Sequence, residues 1–284
     1  MAENKDRFSI KKMARILKVS KSGFYDWFKR EASKRHVEND NIYHDIYELF
    51  VSSRRSYGAR RIAMLLSKLY GRPINRKRVA RLMKENGLIP KGKKKFVVTT
   101  DSSNTTHIFP NLLERDFNAD KPNIKMVSDT TYIYTKEGWL YLAAIMDLCG
   151  RKIVGMAVSE HNDQELVIAA LKDAKDRIGK KNLAGCILHS DRGSTYASNE
   201  YIKLLDEYKM KGSMSRKGNC WDNAPIESFW GRMKVEWIER VYETRQDAID
   251  DIYEYIWAHY NRFRPHSSNR YNTPEETYSG RNIA

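Results

Sequence analysis

The first ninety residues carry apolar side chains at the three- and four-residue spacing of amphipathic helices. A first pair of helices is predicted around "SIKKMARIL" and "SGFYDWFKR", and Ser20 stands where a helix N-cap belongs. Three further helices follow, and Asn75 and Gly87 mark the start and the end of the last one. Helix, short turn and helix in succession predict two helix-turn-helix units, over residues 1–36 and 37–90.

Residues 91–119 interrupt this helical pattern. A lysine cluster, a run of Ser, Thr and Asn, and Pro110 separate the periodic segments on either side. Such a composition is typical of a linker. We therefore predict a basic and polar linker over these residues.

From about residue 120 the apolar positions follow the patterns of strands. Three runs are predicted to form a meander: "KMVSDTTYIYT", "GWLYLAAIMDL" and "KIVGMAVSE". Helical patterns then alternate with two short strand-like runs, "GCILHSD" and "KGSMS", and two helices follow. Residues 120–284 are thus predicted to form an α/β domain, with a mixed five-stranded sheet flanked by helices and a C-terminal helical tail.

Charge divides the chain in the same way. Residues 1–119 contain 27 Lys and Arg against 12 Asp and Glu, which accounts for the whole net charge of +15 of the 284-residue chain. A basic half of this kind favours a polyanionic partner such as DNA, because each cation that neutralises a phosphate releases a counterion. A plain helical hairpin explains either helical unit taken alone, and the tandem of two basic units favours DNA binding.

The residues of the helical units that are predicted to contact DNA share a polar or basic side chain on a helix. They are Lys21, Ser22, Arg60, Arg61, Arg76, Lys77, Arg78 and Arg81.

Cysteines and hydropathy exclude several other classes of protein. The three cysteines stand far apart and form no CxxC pair, which argues against disulfides and a structural zinc site and suits a reducing cytosol. No apolar run reaches membrane-spanning length, and the first residues lack the apolar core of a signal peptide. The sequence therefore predicts a cytoplasmic protein without a membrane partner.

Acidic residues stand at strand ends and at a helix start in the second half. Asp129 interrupts an apolar and hydroxyl-rich strand, Asp191 ends "CILHSD", and Glu227 lies in the first turn of a helix that Pro225 begins. Taken singly, each acid has an ordinary role at a strand edge, in a turn or at a helix N-terminus. Asp147, at another strand end, is a fourth candidate that spacing alone does not exclude.

Four segments in order, "SDTTYI", "HSDRGSTY", "GNCWDNAPIESFWGRMKVE" and "YNRFRPHSSNRYNTPEE", resemble the bacterial insertion-sequence transposases of family three. The resemblance covers nearly the whole chain and is that of the second reading-frame product of such elements. These proteins belong to the Asp-Asp-Glu superfamily, together with the retroviral integrases. The 35 residues between Asp191 and Glu227 match the family's spacing, whereas Asn269 stands where a leucine is usual.

The resemblance implies a ribonuclease-H-like fold in which Asp129 and Asp191 lie on neighbouring strands and the helix of Glu227 packs across them. The three carboxylates would be the catalytic residues and would bind two Mg²⁺ ions, for which Mn²⁺ can substitute. Two such ions can activate an attacking oxygen and stabilise a leaving oxygen in phosphodiester exchange. Lys234, two helical turns after Glu227, is implied to contact DNA near the scissile phosphate.

On this basis the sequence predicts a DNA transposase that cleaves and transfers strands at the ends of an insertion sequence. Its partners would be the terminal inverted repeats, the target DNA and at least one further copy of itself, at the nucleoid in the bacterial cytoplasm. Family members are often fused to the product of an upstream reading frame, so we expect this chain to be the downstream part.

The alternative is a catalytically silent, transposase-derived DNA-binding regulator, against which the three intact acids argue. Two other interpretations fit the sequence less well. A retroviral-type integrase would bring a His/Cys zinc domain, and a nuclease acting on RNA–DNA hybrids would not need two basic helical units.

Overall fold

Helices make up the secondary structure of the first part of the chain. The computed structural model describes residues 1–31, 33–92, 109–216, 219–238 and 241–280. After a short 3₁₀ turn, the helices before residue 92 are α1 Ile10–Leu17, α2 Lys21–Lys29, α3 Lys34–Ser52, α4 Ala59–Tyr70 and α5 Arg76–Glu85. The predicted caps are confirmed: the Ser20 hydroxyl accepts the Gly23 N–H at 3.2 Å, and the Asn75 side chain accepts the Lys77 N–H at 2.8 Å.

The two helical units bury very different amounts of apolar surface. Helices α3–α5 enclose a core of their own, in which Ile46 and Leu66 are fully shielded from solvent. In α1 and α2 the buried residues are Ala14 and Phe24, while Phe28 is half exposed. The second unit therefore has the packing of an independent small domain, whereas the first leaves much of its apolar side open.

A mixed sheet of five strands follows, in the order β3-β2-β1-β4-β5. Its strands are β1 Lys125–Thr135, β2 Gly138–Asp147, β3 Lys152–Ser159, β4 Ile187–Ser190 and β5 Lys211–Met214. Strands β1 to β3 form the predicted antiparallel meander, β4 pairs with β1 in parallel, and β5 pairs with β4 in parallel.

Helices cover both faces of the sheet. They are α6 Gln164–Ile178, α7 Lys180–Leu183, α8 Asn199–Glu207, α9 Ala224–Glu236, α10 Arg245–Tyr253 and α11 Pro274–Tyr278, and α10 continues as a π-helical segment, Glu254–Tyr260. Alternate residues of β2 enter two cores: Leu142 and Ala144 pack with α9 and α10, whereas Ala143 and Ile145 pack with α6 and α8. This architecture is the ribonuclease-H-like α/β fold that the sequence predicts.

The segment predicted as a linker differs from expectation in its last part. Residues 93–108 lie outside the described residues, but the chain from Phe109 onwards packs on the α/β domain. Leu113 is buried in the core beneath α9, and the Leu112 N–H donates to the Ser213 hydroxyl at 2.9 Å. The linker prediction therefore does not extend to these residues, because their apolar side chains complete the core.

A buried carboxylate connects the second helical unit to the α/β domain. Glu236, the last residue of α9, accepts two hydrogen bonds from Arg264 at 2.6 and 2.7 Å and one from Arg61 of α4 at 3.0 Å. Burial alone would raise the pKa of Glu236, but the hydrogen bonds and charge of Arg264, with those of Arg61, outweigh it and lower the pKa to about 2. Nearby, Arg54 pairs with Asp251 at 2.7 Å.

The substitution Glu236→Gln keeps the shape of this side chain and removes its charge. We expect it to lower the free energy of unfolding by about 3–5 kcal/mol, because two arginines are left buried without their counter-charge. Urea unfolding at pH 7 measures this loss. Glu243→Gln is the matched control, since Glu243 pairs with Lys136 at the surface, and it should have little effect.

The cost of Glu236→Gln also depends on pH. The folded-state pKa of Glu236 is lowered, so its contribution is present above the unfolded value of roughly 4.3 and is lost as the pH falls towards about 2. The stability difference between wild type and variant should therefore shrink below about pH 4. A difference that grows on acidification would contradict the pairing.

Candidate active site

Asp129 and Asp191 lie level with each other on neighbouring strands. β1 and β4 pair in parallel with Val127 opposite His189, and the same register, continued by two residues, sets Asp129 opposite Asp191 just beyond the end of β4. Residues that are level in parallel strands point to the same face of the sheet. The structure thus brings these two acids together, as the resemblance implies.

Helix α9 brings the third acid to this place. Before the helix, the Asn223 amide donates to the Ser128 carbonyl of β1 at 3.0 Å, and within it the Trp230 indole donates to Asp129 Oδ2 at 3.1 Å. Glu227 stands three residues before Trp230 and therefore lies on the same side of α9. The Glu227 side chain is exposed, whereas Asp129 and Asp191 are half-buried.

The three carboxylates share one electrostatic environment. Burial raises the pKa of Asp129 well above its ordinary value, and repulsion from Asp191 and Glu227 raises it further, against hydrogen bonds from the Thr130 N–H and Trp230. Burial also raises the pKa of Asp191, against the hydrogen bond from the Gly193 N–H.

Glu227 responds to the same surroundings from its position on the helix. Although the residue as a whole is exposed, its carboxyl group is partly shielded from water, which raises its pKa, and repulsion from Asp191 adds to the rise. The negative charges therefore act on one another, which is the situation that a bound cation relieves.

The chemistry of these donors suits a hard divalent cation. Carboxylate oxygens are the ligands that Mg²⁺ and Mn²⁺ prefer. Within the described ranges, no group of three or more His, Cys, Asp or Glu side chains is arranged to hold a metal ion by itself. Mg²⁺ is usually bound through one or two carboxylates together with water and substrate phosphates, so an open set of acids of this kind fits it.

Lys234 lies on α9 near Asp129. It is seven residues after Glu227 on α9, half-buried, and its Nζ stands 4.8 Å from the centre of the Tyr132 ring. Burial lowers the pKa of Lys234, while the attraction of Asp129 opposes this. The lysine is therefore close enough to Asp129 for its charge to act at the site.

Asp147 belongs to a different part of the sheet. It pairs across the strands with Met126, three residues from the level of Asp129, or about 10 Å. Its carboxylate accepts the N–H groups of Asn123 and Cys149 at 2.7 and 2.8 Å, and burial raises its pKa to about 7. Asp147 is thus a buried residue that stabilises turns.

His189, to which the sequence assigns no catalytic role, has a structural one. Its Nδ1 and Nε2 lie 2.8 and 3.1 Å from the hydroxyls of Ser213 and Ser215, at the far side of β4. Burial lowers its pKa to about 4. The ring links β4 to β5 in its neutral form.

Asp222 is a residue that sequence reasoning missed. It is fully buried in the turn before α9, where it binds Arg216, Arg115 and Asn111 at distances from 2.7 to 3.1 Å. The hydrogen bond from Arg216 is the largest reason why the pKa of Asp222 lies well below its ordinary value. Its position before Pro225 marks a helix start, but nothing local in the sequence indicates the distant partner Arg115.

The residues predicted to contact DNA fall into two groups. Six are exposed on their helices: Lys21, Ser22, Arg60, Arg76, Lys77 and Arg81. Arg61 is instead bound to Glu236, and Arg78 binds Glu38 and Asn39 at 2.9 and 2.8 Å. Arg61 and Arg78 are excluded from the DNA-binding surface, because both are partly buried and paired with acids within the protein. Arg81 also pairs with Glu85, at 2.9 Å, but this pair lies at the exposed surface.

Membrane insertion has no support among the described helices, none of which is both long and apolar enough to cross a bilayer.

Comparisons with known proteins agree with this architecture. Models of two integrase core domain families match residues 119–220 and 208–274, and a model described as an HTH-like domain matches residues 38–96. The chain is similar to the retroviral core in HTLV-2 integrase with magnesium (17% identity, 56% of this chain, 97% of that one, TM-score 0.41). It is also similar to a simian T-cell lymphotropic virus intasome with PP2A subunit B56 gamma (12%, 84% and 76%, TM-score 0.46). With both TM-scores below 0.5, the fold assignment depends on the strand order and the family models.

Two relatives match the chain over nearly its whole length. An insertion element IS600 uncharacterized 31 kDa protein of Shigella sonnei is 42% identical over 256 residues, covering 90% of this chain and 93% of the relative. Transposase InsF for insertion sequence IS3A of Escherichia coli (strain K12) is 37% identical over 280 residues, covering 98% and 96%. With its integrase core and its HTH-like domain, the chain belongs to the DNA transposases of insertion-sequence family three.

Proposed function

We propose that this transposase cleaves one strand at each end of its insertion sequence and joins the freed 3′-hydroxyl to another phosphodiester, with Asp129, Asp191 and Glu227 as the catalytic acids. Its partners are the terminal inverted repeats, the target DNA and at least one further copy of the chain, in the cytoplasm at the nucleoid. The observation that supports the proposal is the pair of acids that lie level with each other, one on β1 and one just after β4, to which α9 adds a third.

The acids are proposed to hold two Mg²⁺ ions, or Mn²⁺ in their place. When bound, such ions activate the attacking oxygen and stabilise the leaving oxygen of an in-line displacement. The protein's own part is to orient the ligands. Trp230 fixes Asp129 through Oδ2, and the Gly193 N–H fixes Asp191 through Oδ1 at 2.9 Å. Lys234 supplies a positive charge for the DNA backbone beside Asp129.

Strand transfer on a pre-cleaved terminal-repeat oligonucleotide with Mg²⁺ tests the role of the acids. Asp191→Asn should reduce joining at least about a hundredfold, because a metal ligand contributes several kcal/mol to stabilising the transition state. DNA binding should persist. Asp206→Asn, at an exposed position of α8 in the same domain, is the control. Equal joining by the two variants would favour the silent regulator instead.

Thermal unfolding with and without Mg²⁺ tests the metal assignment independently of turnover. Mg²⁺ should raise the Tm of the wild type. At a concentration of a hundred times Kd, the expected gain in unfolding free energy is about 2.7 kcal/mol, and Glu227→Gln should remove most of it. Glu200→Gln is the matched control, since Glu200 is an exposed acid in the first turn of α8.

Without metal, Glu227→Gln is expected not to destabilise the protein. Because the pKa of Glu227 is raised in the folded state, its ionisation lowers stability as the pH rises through that range. At pH 8 in EDTA, Glu227→Gln should therefore be at least as stable as wild type. Equal Mg²⁺ shifts in Glu227→Gln and Glu200→Gln would remove Glu227 from the metal site.

The exposed basic residues of α5 are proposed to contact DNA phosphates. Replacing Arg76, Lys77 and Arg81 together by Ala should weaken binding to all sequences and reduce the slope of log affinity against log salt by about 2–3, since each lost phosphate contact removes about 0.9. Filter binding at several salt concentrations measures the slope. Lys203→Ala on α8 is the control, and an unchanged slope in the triple variant would contradict the assignment.

A further inference from the structure

Three aromatic side chains form an exposed cluster at the end of the β1–β2 hairpin. Tyr132, Tyr134 and Trp139 are 37%, 46% and 46% exposed, and the Trp139 ring lies edge-on to both tyrosines with centroids 5.0 Å apart. Trp139 pairs directly with Tyr134 across the hairpin. We call these three residues the hairpin aromatic cluster.

The three side chains of the cluster do not belong to the buried core of the domain. The alternate residues Thr131, Ile133 and Thr135 of β1 are buried, so the tyrosines point to the opposite face of the strand. Further along the sheet α6 covers that face and packs on Ala143 and Ile145, but the hairpin end remains exposed. Grouped exposed aromatic side chains are typical of binding surfaces.

The cluster adjoins the candidate active site along one strand. Tyr132 stands three residues after Asp129 on β1 and points to the opposite face of the sheet. The separation along the strand is about 10 Å, which is about three base steps of a stacked DNA strand. Lys234 connects the two places, because its Nζ lies over the Tyr132 ring and its charge interacts with Asp129.

Between the acids and the cluster, the outer edge of β1 pairs with no other strand of the described residues. β4 pairs with β1 only from Lys125 to Val127, and in the described part of the chain the next pairing on that edge joins Thr135 to Tyr242. A strand held by its phosphodiester at Asp129 can therefore run along this edge past Lys234 to the aromatic rings.

We propose that the hairpin aromatic cluster is a stacking site for unpaired nucleobases of the DNA strand that flanks the reacting phosphodiester. The proposal rests on the proposed function, because it takes the three acids as the place of that phosphodiester. Aromatic rings stack on any base, and an adjacent cation neutralises the backbone. Bases in an intact duplex have both faces covered, so the ligand is a frayed or flipped stretch at a DNA end.

The test measures binding rather than turnover, in protein that also carries Asp191→Asn. The probe is a terminal-repeat duplex whose last three nucleotides are unpaired and include 2-aminopurine, whose fluorescence falls when it stacks. Trp139→Leu should weaken binding of this probe about tenfold or more and abolish the fluorescence change, and Trp139→Phe should retain both. Tyr253→Leu, an exposed aromatic residue of α10 (43% exposed), is the matched control.

A second DNA probe tests whether the Trp139 ring stacks on an unpaired base. When the unpaired nucleotides are abasic, protein with Trp139 should lose affinity, whereas Trp139→Leu should lose no more than it has already lost. Independent, additive losses would overturn the proposal. So would a change in oligomeric state on Trp139→Leu with DNA affinity unchanged, which would indicate that a second copy covers the cluster.

The two proposals fail in different ways. If Asp191→Asn leaves strand transfer intact, the catalytic assignment fails while the stacking measurement still gives its own answer. If Asp191→Asn abolishes strand transfer but Trp139→Leu binds and quenches the frayed probe like the control, only the stacking site is wrong.

Discussion

The close approach of three carboxylates is the constraint on which the candidate active site depends. Asp129 lies on β1 and Asp191 directly follows β4, whereas Glu227 arrives on a helix and has to be held against the charge of Asp191. The anchoring of α9 supplies that restraint. Trp230 bonds Asp129 directly, and the buried Asp222 fixes the turn from which the helix starts. The sheet positions two acids, and side-chain hydrogen bonds to α9 position the third.

The same helix connects the candidate active site to the second helical unit. Its first turn carries Glu227, and its last residue, Glu236, is bound by Arg264 of the α/β domain and by Arg61 of the second helical unit. Arg61 was expected to contact DNA, yet the energy of leaving Glu236 with less of its counter-charge keeps it inside the protein. The helical unit that carries the basic residues proposed to contact DNA is thereby joined to the helix that completes the candidate site.

Local patterns predicted the elements of the fold well, because alternation, helical spacing and caps are properties of neighbouring residues. β1 was predicted to the residue, and Ser20 and Asn75 cap helices as expected. The acids of the site needed the resemblance, since no single carboxylate is distinctive.

Pairings between distant positions could not be predicted. Two hydrogen-bonded pairs, Asp222 with Arg115 and Glu236 with Arg264, join residues that only the folded chain brings together.

The most direct measurement of the central claim is a crystal structure of the protein grown with Mn²⁺ and a terminal-repeat DNA end, with anomalous scattering locating the metal. The account predicts metal between Asp129, Asp191 and Glu227, at the DNA phosphate. Metal bound elsewhere, or a Glu227 turned away from the other two acids, would contradict it.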